Sequence, residues 1–246
     1  MLSTNLARGG AETLVAQLSI ELQRRGHEIH VVSLVKPSAF ESDLDRAGVR
    51  LHAPGLLFVP ASLREIRPQI LHCHMFHANV LGRLLRTILP FNAVISTLHS
   101  IAESGRNSRS VAVRDLLYRA TDRLAEITAS VSAAVGERHR QAGATRSECV
   151  VPNGIDTSAF YPDPEARLRL RAELRLGDDF VWIAVGRLIW KKNFAALIHA
   201  CRELPEATLL LVGTGPEESA LRALAGPNVR FLGHRSDVPA LLNAAD

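Results

Sequence analysis

VWIAVGRLIWKKNF, residues 181–194, begins as an apolar run of strand length and changes at Gly186 into a basic turn, before a helical pattern starts at Phe194. In an open α/β sheet, ligands bind beyond the carboxyl ends of the strands, so Arg187 and Lys192 are expected at a ligand-facing edge. Arginine can hold phosphoryl oxygens with two parallel hydrogen bonds, and lysine adds a mobile positive charge. The stretch predicts a buried strand that ends in a phosphate-binding turn; a solvated basic loop is the open alternative.

The composition is that of a globular protein with room for two hydrophobic cores. The 246 residues are 47% hydrophobic and 22% charged, and a typical domain has about 100 to 150 residues. No apolar run approaches the roughly 20 residues of a membrane-spanning helix, and the first residues lack the apolar core of a secretion signal. The three cysteines are far apart, which favours free thiols in a reducing compartment. We therefore expect a cytoplasmic protein.

Positive charge is concentrated in the first part of the chain. Residues 1–152 contain 18 Lys or Arg against 13 Asp or Glu, whereas residues 153–246 contain 11 against 12. This excess suits an anionic acceptor or the inner face of an anionic membrane, and a solvated helix surface has the same pattern. Nucleic acid is not an expected partner, because aromatic residues are 5% of the chain and no reading motif is present. Five arginines lie on or beside one predicted helix: Arg106, Arg109, Arg114, Arg119 and Arg123.

Strand and helix patterns alternate through residues 1–152. Apolar, β-branched runs predict strands, and apolar residues three to four positions apart predict helices. Strands joined by helices need right-handed crossovers, so the sheet is expected to be mostly parallel and doubly wound. The predicted strands are 27–35, 49–52, 69–74, 93–98, 126–131 and 149–151, and the predicted helices are 11–25, 40–47, 63–67, 76–89, 109–124 and 133–142.

The second half repeats this plan after a linker. Pro152, Pro162 and Pro164, with Asn153-Gly154 between them, predict a linker over 153–166. Predicted strands follow at 180–185, 207–212 and 229–232, and predicted helices at 165–176, 194–203, 217–224 and 238–245. We therefore expect an α/β protein with two Rossmann-like lobes, 1–152 and 167–246, the second incomplete because three strands leave an open sheet edge.

Glycine pairs mark two further candidate contacts. Gly9-Gly10 precedes a predicted helix, where bare backbone lets a ligand approach and free N–H groups can face an anion. Gly213-Thr214-Gly215 forms another glycine loop at a strand end, which could admit a nucleotide. A plain turn is the open alternative for each pair.

A metal site is not expected. His72, His74 and His77 surround Cys73, but the segment supplies neither a fourth ligand nor carboxylates that orient the imidazoles. A loop at a strand end, facing the ligand crevice, is the preferred interpretation. Asp43-Leu44-Asp45 has the two-carboxylate pattern that holds a metal-bound nucleotide sugar, but its place in an amphipathic helix favours surface charge.

The order of these motifs is more specific than any one of them, and the chain resembles the GT-B glycosyltransferases of family 4 over nearly its whole length. The motifs are Gly9-Gly10-Ala11-Glu12, Ser96-Thr97-Leu98-His99, Val151-Pro152-Asn153-Gly154-Ile155-Asp156, Val185-Gly186-Arg187-Leu188 with Lys192-Asn193, Leu211-Val212-Gly213-Thr214-Gly215-Pro216-Glu217, and Phe231-Leu232-Gly233 before Asp237.

The resemblance implies transfer of a sugar from a UDP- or GDP-linked donor to a glycan or lipid-linked acceptor, in a cleft between the two lobes. It implies retention of the anomeric configuration, no metal and no further cofactor, with the acceptor on the N-terminal lobe. Arg187 and Lys192 would hold the diphosphate, and His99 would lie near the sugar. The other implied donor contacts are Gly9, Gly10, Asn153, Gly186, Gly213, Gly215 and Glu217.

Two departures from the family pattern lead us to expect a fragment, truncated at both ends, with half of the donor site. Only Leu2-Ser3 could belong to the family's first strand, and the chain ends before a loop with two glutamates seven residues apart. Three other classes stay open: a non-catalytic module that binds nucleotide sugars or phosphate, a GT-B relative with other chemistry such as sugar epimerisation, and a structural α/β protein.

Overall fold

The computed structural model describes residues 1–7, 9–36, 38–101, 108–143 and 148–246. These residues form two compact units, Met1–Gly154 and Ile155–Asp246. Each unit has its own sheet, in which all paired strands are parallel. The prediction of an α/β protein with two Rossmann-like lobes is confirmed.

Seven strands form the sheet of the first unit. They are β1 (Leu2–Ser3), β2 (His30–Ser33), β3 (Arg50–His52), β4 (Ile70–His74), β5 (Ala93–Leu98), β6 (Ile127–Ser130) and β7 (Glu148–Val150). The order in the sheet is β3-β2-β1-β4-β5-β6-β7, so the two-residue β1 lies inside the sheet, between β2 and β4. Leu2 pairs with Val32 on one side and Cys73 on the other, and its side chain is fully buried.

Helices cover both faces of this sheet. They are α1 (Gly10–Arg24), α2 (Glu41–Arg46), α3 (Val59–Ile66), α4 (Phe76–Leu85), α5 (Ser108–Thr121) and α6 (Ala133–Gln141). Because successive strand residues point to opposite faces, neighbouring residues of β2 enter different cores. Val31 packs in one buried cluster with Val15 of α1, and Val32 packs in another with Leu63 of α3. The doubly wound arrangement follows from this division.

Some helix ends differ from the predicted positions for local reasons. The predicted helix 63–67 begins earlier, at Val59, because Pro60 fits the first turn of a helix, and it ends before Arg67, which has a left-handed φ of 51°. The predicted helix 165–176 begins at Pro164, because the side chain of Asp163 accepts hydrogen bonds from the first turn. Helix 76–89 was predicted four residues too long, since α4 ends at Leu85.

A buried arginine ties α4 to its neighbours. Arg83 is fully buried, and its Nε donates to Ser96 Oγ at 2.9 Å while its Nη2 donates to Thr128 Oγ1 at 2.9 Å. Its Nη1 donates to the carbonyl oxygen of Tyr118 at 3.3 Å. One side chain thus connects α4 with β5, β6 and α5 through hydrogen bonds that satisfy its buried charge.

The second unit repeats the design with three strands. They are β8 (Phe180–Val185), β9 (Ala207–Val212) and β10 (Val229–Gly233), in the order β10-β9-β8, with helices α7 (Pro164–Glu173), α8 (Phe194–Arg202), α9 (Glu218–Leu224) and α10 (Val238–Leu242). All six residues of β9 are buried. Leu210 packs in one cluster with Leu170 of α7, and Leu211 packs in another with Ile198 of α8.

Candidate functional site

In the second unit, the loops that follow β8 and β9 are joined by backbone hydrogen bonds. The N–H of Leu188 donates to the carbonyl oxygen of Thr214 at 3.0 Å, and the N–H of Glu217 donates to that of Leu188 at 3.1 Å. The N–H of Gly213 donates to the carbonyl oxygen of Gly233, at the end of β10, at 2.7 Å. The three strand ends therefore form one continuous edge, which contains the predicted donor contacts at Gly186, Gly213, Gly215 and Glu217.

The two glycines of the β9 loop are required by the closeness of the β8 loop. A Cβ on Gly213 would lie 2.9 Å from the carbonyl carbon of Gly186 and closer still to its oxygen, and the φ of Gly213 is +134°. A Cβ on Gly215 would lie 2.7 Å from both the nitrogen and the carbonyl carbon of Leu188. Any side chain at these positions would push the two loops apart, so the Gly-Thr-Gly pattern is a packing requirement of this edge.

Arg187 and Lys192 bring two positive charges to this edge. Arg187 directly follows Gly186 at the end of β8. Lys192 ends a short 3-10 turn, and its Cε lies 3.6 Å from the position of a Cβ on Gly186, so its stem lies along the strand end. Within the described ranges, neither cation forms an ion pair with a carboxylate. Both can therefore serve an anionic ligand.

Asn193 shapes the turn that carries Lys192. It adopts a left-handed φ of 50° immediately before α8 begins at Phe194. Asparagine tolerates this conformation better than most residues, because its short polar side chain can form local hydrogen bonds. The Lys-Asn pair is thus a turn-forming unit as well as a source of charge.

The loop after β10 contributes an ion pair that the sequence did not single out. Arg235 donates from Nε to Asp237 Oδ1 at 2.8 Å and from Nη2 to Asp237 Oδ2 at 2.7 Å. These hydrogen bonds lower the pKa of Asp237 below its usual value. Because Asp237 precedes α10, the pair fixes the turn between β10 and that helix.

In the first unit, His99 lies at the carboxyl end of β5 against two other histidines. Its Nε2 is 3.1 Å from Nδ1 of His74, which is 1% exposed, and the ring of His74 lies 4.1 Å from that of His72 between centroids. Burial lowers the pKa of His99 to about 4 and that of His72 to about 3, and it lowers the pKa of His74 well below its usual value. The three rings are therefore neutral near pH 7, and His99 acts as a hydrogen-bonding group without charge.

The histidines of β4 do not form the loop that the sequence predicts. His72 and His74 lie inside the strand, because alternation places both on one face, and His72 Nε2 is 2.8 Å from Thr97 Oγ1. His77 is exposed in the first turn of α4. No three His, Cys, Asp or Glu side chains in the described part of the chain are arranged to hold a metal ion.

The acidic pair on α2 lies at the surface. Asp43 and Asp45 are both exposed, and Asp43 Oδ1 is 3.4 Å from Nη1 of Arg46 in the same helix. Both carboxylates thus belong to the solvated side of α2, as its amphipathic pattern indicates.

The start of α1 carries a buried acid beside the glycine pair. Gly9 is extended and precedes the helix, and Glu12, which is 8% exposed, folds back so that its Cδ is 3.1 Å from the position of a Cβ on Gly9. A Cβ on Gly10 would meet no atom within 4 Å. A carboxylate opposes an anionic ligand, so the open approach to this helix start is at Gly10. Asn153 belongs to the same unit and is exposed, outside any helix or strand.

Helix α5 combines exposed apolar and basic residues. Val113 and Leu116 are 55% and 53% exposed, and Arg119 is also exposed. Arg114 instead lies over the ring of Phe76 at 4.5 Å, and Arg106 lies outside the described residues. None of the helices in the described ranges has the length and apolar character of a membrane span.

Comparison with known proteins gives matches along most of the chain. Residues 8–159 match the sequence model of a family described as Glycosyltransferase Family 4, and residues 179–246 match that of a family described as Glycosyl transferases group 1.

Two curated relatives match parts of the chain. A GDP-mannose-dependent alpha-(1-6)-phosphatidylinositol monomannoside mannosyltransferase of Mycolicibacterium smegmatis is 40% identical over 79 residues, which cover 30% of this chain and 21% of that enzyme. A UDP-Gal:alpha-D-GlcNAc-diphosphoundecaprenol alpha-1,3-galactosyltransferase of Escherichia coli is 23% identical over 75% of this chain and 52% of its own length. The chain thus spans about a fifth to a half of the length of these relatives.

A solved structure shares the fold. The complex of Anabaena Alr3699/HepE with UDP-glucose superposes with a TM-score of 0.83 and 23% identity, over 100% of this chain and 71% of that one.

Proposed function

The chain belongs to Glycosyltransferase Family 4, and we propose that it contributes to the transfer of a hexose from a nucleotide-sugar donor, with retention of anomeric configuration and without a metal ion. The observation that carries the proposal is the pair of cations, Arg187 and Lys192, at a sheet edge built from bare glycine loops. That edge can bind a diphosphate through both side chains.

The chemistry of the leaving group explains why cations belong there. When the bond between the sugar and the diphosphate breaks, negative charge develops on the departing phosphate oxygen. Fixed positive groups stabilise this charge more in the transition state than in the bound donor, and they thereby accelerate the step. In our proposal, Arg187 and Lys192 perform the task for which other transferases use a metal ion.

Further donor contacts follow from the same arrangement. The loop from Gly213 to Glu217 would bind the base and ribose, and Gly186 would admit the diphosphate close to the backbone. In the first unit, the open helix start at Gly10, together with Gly9 and Asn153 of the family motifs, would contribute phosphate contacts. His99 would orient the donor as a neutral hydrogen-bonding group.

The names of the relatives support a donor and an acceptor class. The Mycolicibacterium enzyme is named as GDP-mannose-dependent, and the HepE complexes contain UDP or UDP-glucose. We therefore propose a UDP- or GDP-linked hexose as the donor. The two curated relatives are named for a phosphatidylinositol monomannoside and a diphosphoundecaprenol acceptor, which favours a lipid-linked or glycan acceptor.

A lipid-linked acceptor would bring the protein to a membrane surface. We propose that α5 supplies this contact, because its exposed Val113 and Leu116 lie on one helix with the exposed Arg119. Apolar residues can enter the interface of a bilayer while arginines bind anionic headgroups.

The proposal is tested by titrating the chain with UDP, GDP and their hexose conjugates in a calorimeter, with and without a metal chelator. We expect binding of one nucleotide series, unchanged by the chelator. Incubation with donor and a lipid extract, followed by NMR of the product, reports transfer and the anomeric configuration. Binding without transfer would favour a non-catalytic nucleotide-sugar-binding module. The absence of binding to every nucleotide tested would contradict the proposal.

A further inference from the structure

Two histidines from neighbouring strands share a hydrogen bond beneath the end of β5. Nδ1 of His74 is 3.1 Å from Nε2 of His99, because the parallel register places His74 of β4 beside Thr97 and hence next to the end of β5. The other ring nitrogens, Nε2 of His74 and Nδ1 of His99, are buried and have no hydrogen-bond partner among the described residues. This pair therefore has one satisfied contact and two unsatisfied atoms.

The positions of the two unsatisfied atoms favour one arrangement of protons. A neutral imidazole donates from one nitrogen and accepts at the other. If His99 donated from Nε2, His74 would carry its proton on Nε2, where an N–H would be enclosed with no acceptor. If His74 donates from Nδ1, the unpartnered N–H lies instead on Nδ1 of His99, at the end of a strand. Since an unsatisfied buried donor is costly, the arrangement that a ligand can complete is favoured.

The ring of His74 is also held in place from its other side. The ring of His72 packs against it, with centroids 4.1 Å apart, and His72 is itself fixed by the contact of its Nε2 with Thr97 Oγ1 at 2.8 Å. His74 is 1% exposed, so water does not compete for its Nδ1 proton. A ring that is packed and dry in this way keeps one orientation toward His99.

We propose that His74 is a positioning residue for His99. By donating from Nδ1, it holds His99 in the tautomer whose proton is on Nδ1, and it fixes the orientation of that ring. His99 then presents a neutral N–H donor to an oxygen atom of a ligand at the carboxyl end of β5. This last step rests on the proposed nucleotide-sugar function, whereas the tautomer itself does not.

The tautomer is tested by NMR of the full 246-residue chain with ¹⁵N-labelled histidine, in the absence of ligand, with His99→Gln used to assign the signals. Two-bond correlations distinguish a protonated ring nitrogen from a bare one. His74→Leu removes the donor, and His74→Asn replaces it with an amide near the position of Nδ1. We expect a protonated Nδ1 on His99 in the wild type and in His74→Asn, and a loss of that preference in His74→Leu. A wild-type His99 with its proton on Nε2 would overturn the proposal, and so would an unchanged tautomer in folded His74→Leu.

A second measurement tests the role of the tautomer toward the donor. We expect His74→Leu to weaken nucleotide-sugar binding by about tenfold, the worth of one hydrogen bond, and His74→Asn to restore it to within about threefold. Equal affinities in all three proteins, with the tautomer changed, would refute the step toward the ligand. If the wild type binds no nucleotide sugar, the proposed function fails, and the ligand-free NMR result still decides the positioning of His99.

Discussion

A methyl group at Gly215 should open the edge that carries Arg187. In Gly215→Ala, the new Cβ would lie 2.7 Å from the nitrogen and carbonyl carbon of Leu188, whereas real Cβ contacts are essentially never shorter than 3.0 Å. The obstacle is backbone, which no side-chain rotation can relieve. The peptide of Leu188 must therefore move, and the bonds it makes with Thr214 and Glu217, at 3.0 and 3.1 Å, are strained.

The expected cost follows from these contacts. Overpacking costs about 1 to 3 kcal/mol, and each strained backbone hydrogen bond costs about 1 kcal/mol, so we expect the free energy of unfolding of the second unit to fall by about 2 to 4 kcal/mol. The matched control is Gly226→Ala, whose new Cβ would meet only a movable side-chain oxygen at 3.1 Å and a methylene at 3.7 Å.

Tryptophan fluorescence makes the assay specific for this unit. The chain has two tryptophans, Trp182 and Trp190, and both lie in the second unit, so urea unfolding followed by their emission reports that unit alone. We also expect weaker donor binding in Gly215→Ala, because Arg187 precedes the displaced peptide. If Gly215→Ala and Gly226→Ala unfold at the same urea concentration as the wild type, the packing argument for the glycine loop is wrong.

Three further predictions concern the first unit. Gly82→Ala should destabilise by about 1 to 2 kcal/mol despite the better helix propensity of alanine, because its Cβ would strike Sγ of Cys73; the cost should disappear in a Cys73→Ala background, and an equal cost in both backgrounds would refute this. Arg83→Met should lower the free energy of unfolding by about 3 to 5 kcal/mol in urea titrations, since two hydrogen bonds of 2.9 Å to a charged group are lost, and an effect below about 1 kcal/mol would contradict the role of this residue. Folding lowers the pKa of His72 to about 3 and that of His99 to about 4, so the unfolded chain binds more protons below about pH 6.5; stability should be unaffected by these groups above that pH and should fall below it, by about 4 kcal/mol for the pair at about pH 5, and equal stabilities by circular dichroism at the two pH values would refute the assignment.

The strands were predictable because each is a short apolar run between turn residues. The predicted strands 93–98, 180–185 and 207–212 have the observed bounds, since buried parallel strands are apolar on both faces. Helix ends were less predictable, because they depend on caps such as Asp163 and on left-handed residues such as Arg67. Local patterns thus predict which elements form, and backbone hydrogen bonding at their ends sets the limits.

Contacts between distant residues were beyond the sequence pattern. His74 and His99 are 25 residues apart and meet only through the register of β4 with β5. Arg83 was not predicted as a core residue because arginine is rarely buried, and the partners that satisfy it come from three other elements. Glu12 was noticed only as part of a motif, yet it covers Gly9 and restricts the approach to the start of α1.

The central claim is that Arg187 and Lys192 bind the diphosphate of the donor, and calorimetry of charge variants tests it most directly. We expect Arg187→Ala and Lys192→Ala each to weaken binding of the nucleoside diphosphate by about 10- to 100-fold, and to leave binding of the corresponding nucleoside unchanged. Lys191→Ala is the matched control, because it removes the same charge from the adjacent exposed residue, and its affinity should stay within about threefold of the wild type. Diphosphate affinity that is unchanged in Arg187→Ala and Lys192→Ala, or that falls equally in Lys191→Ala, would contradict the claim.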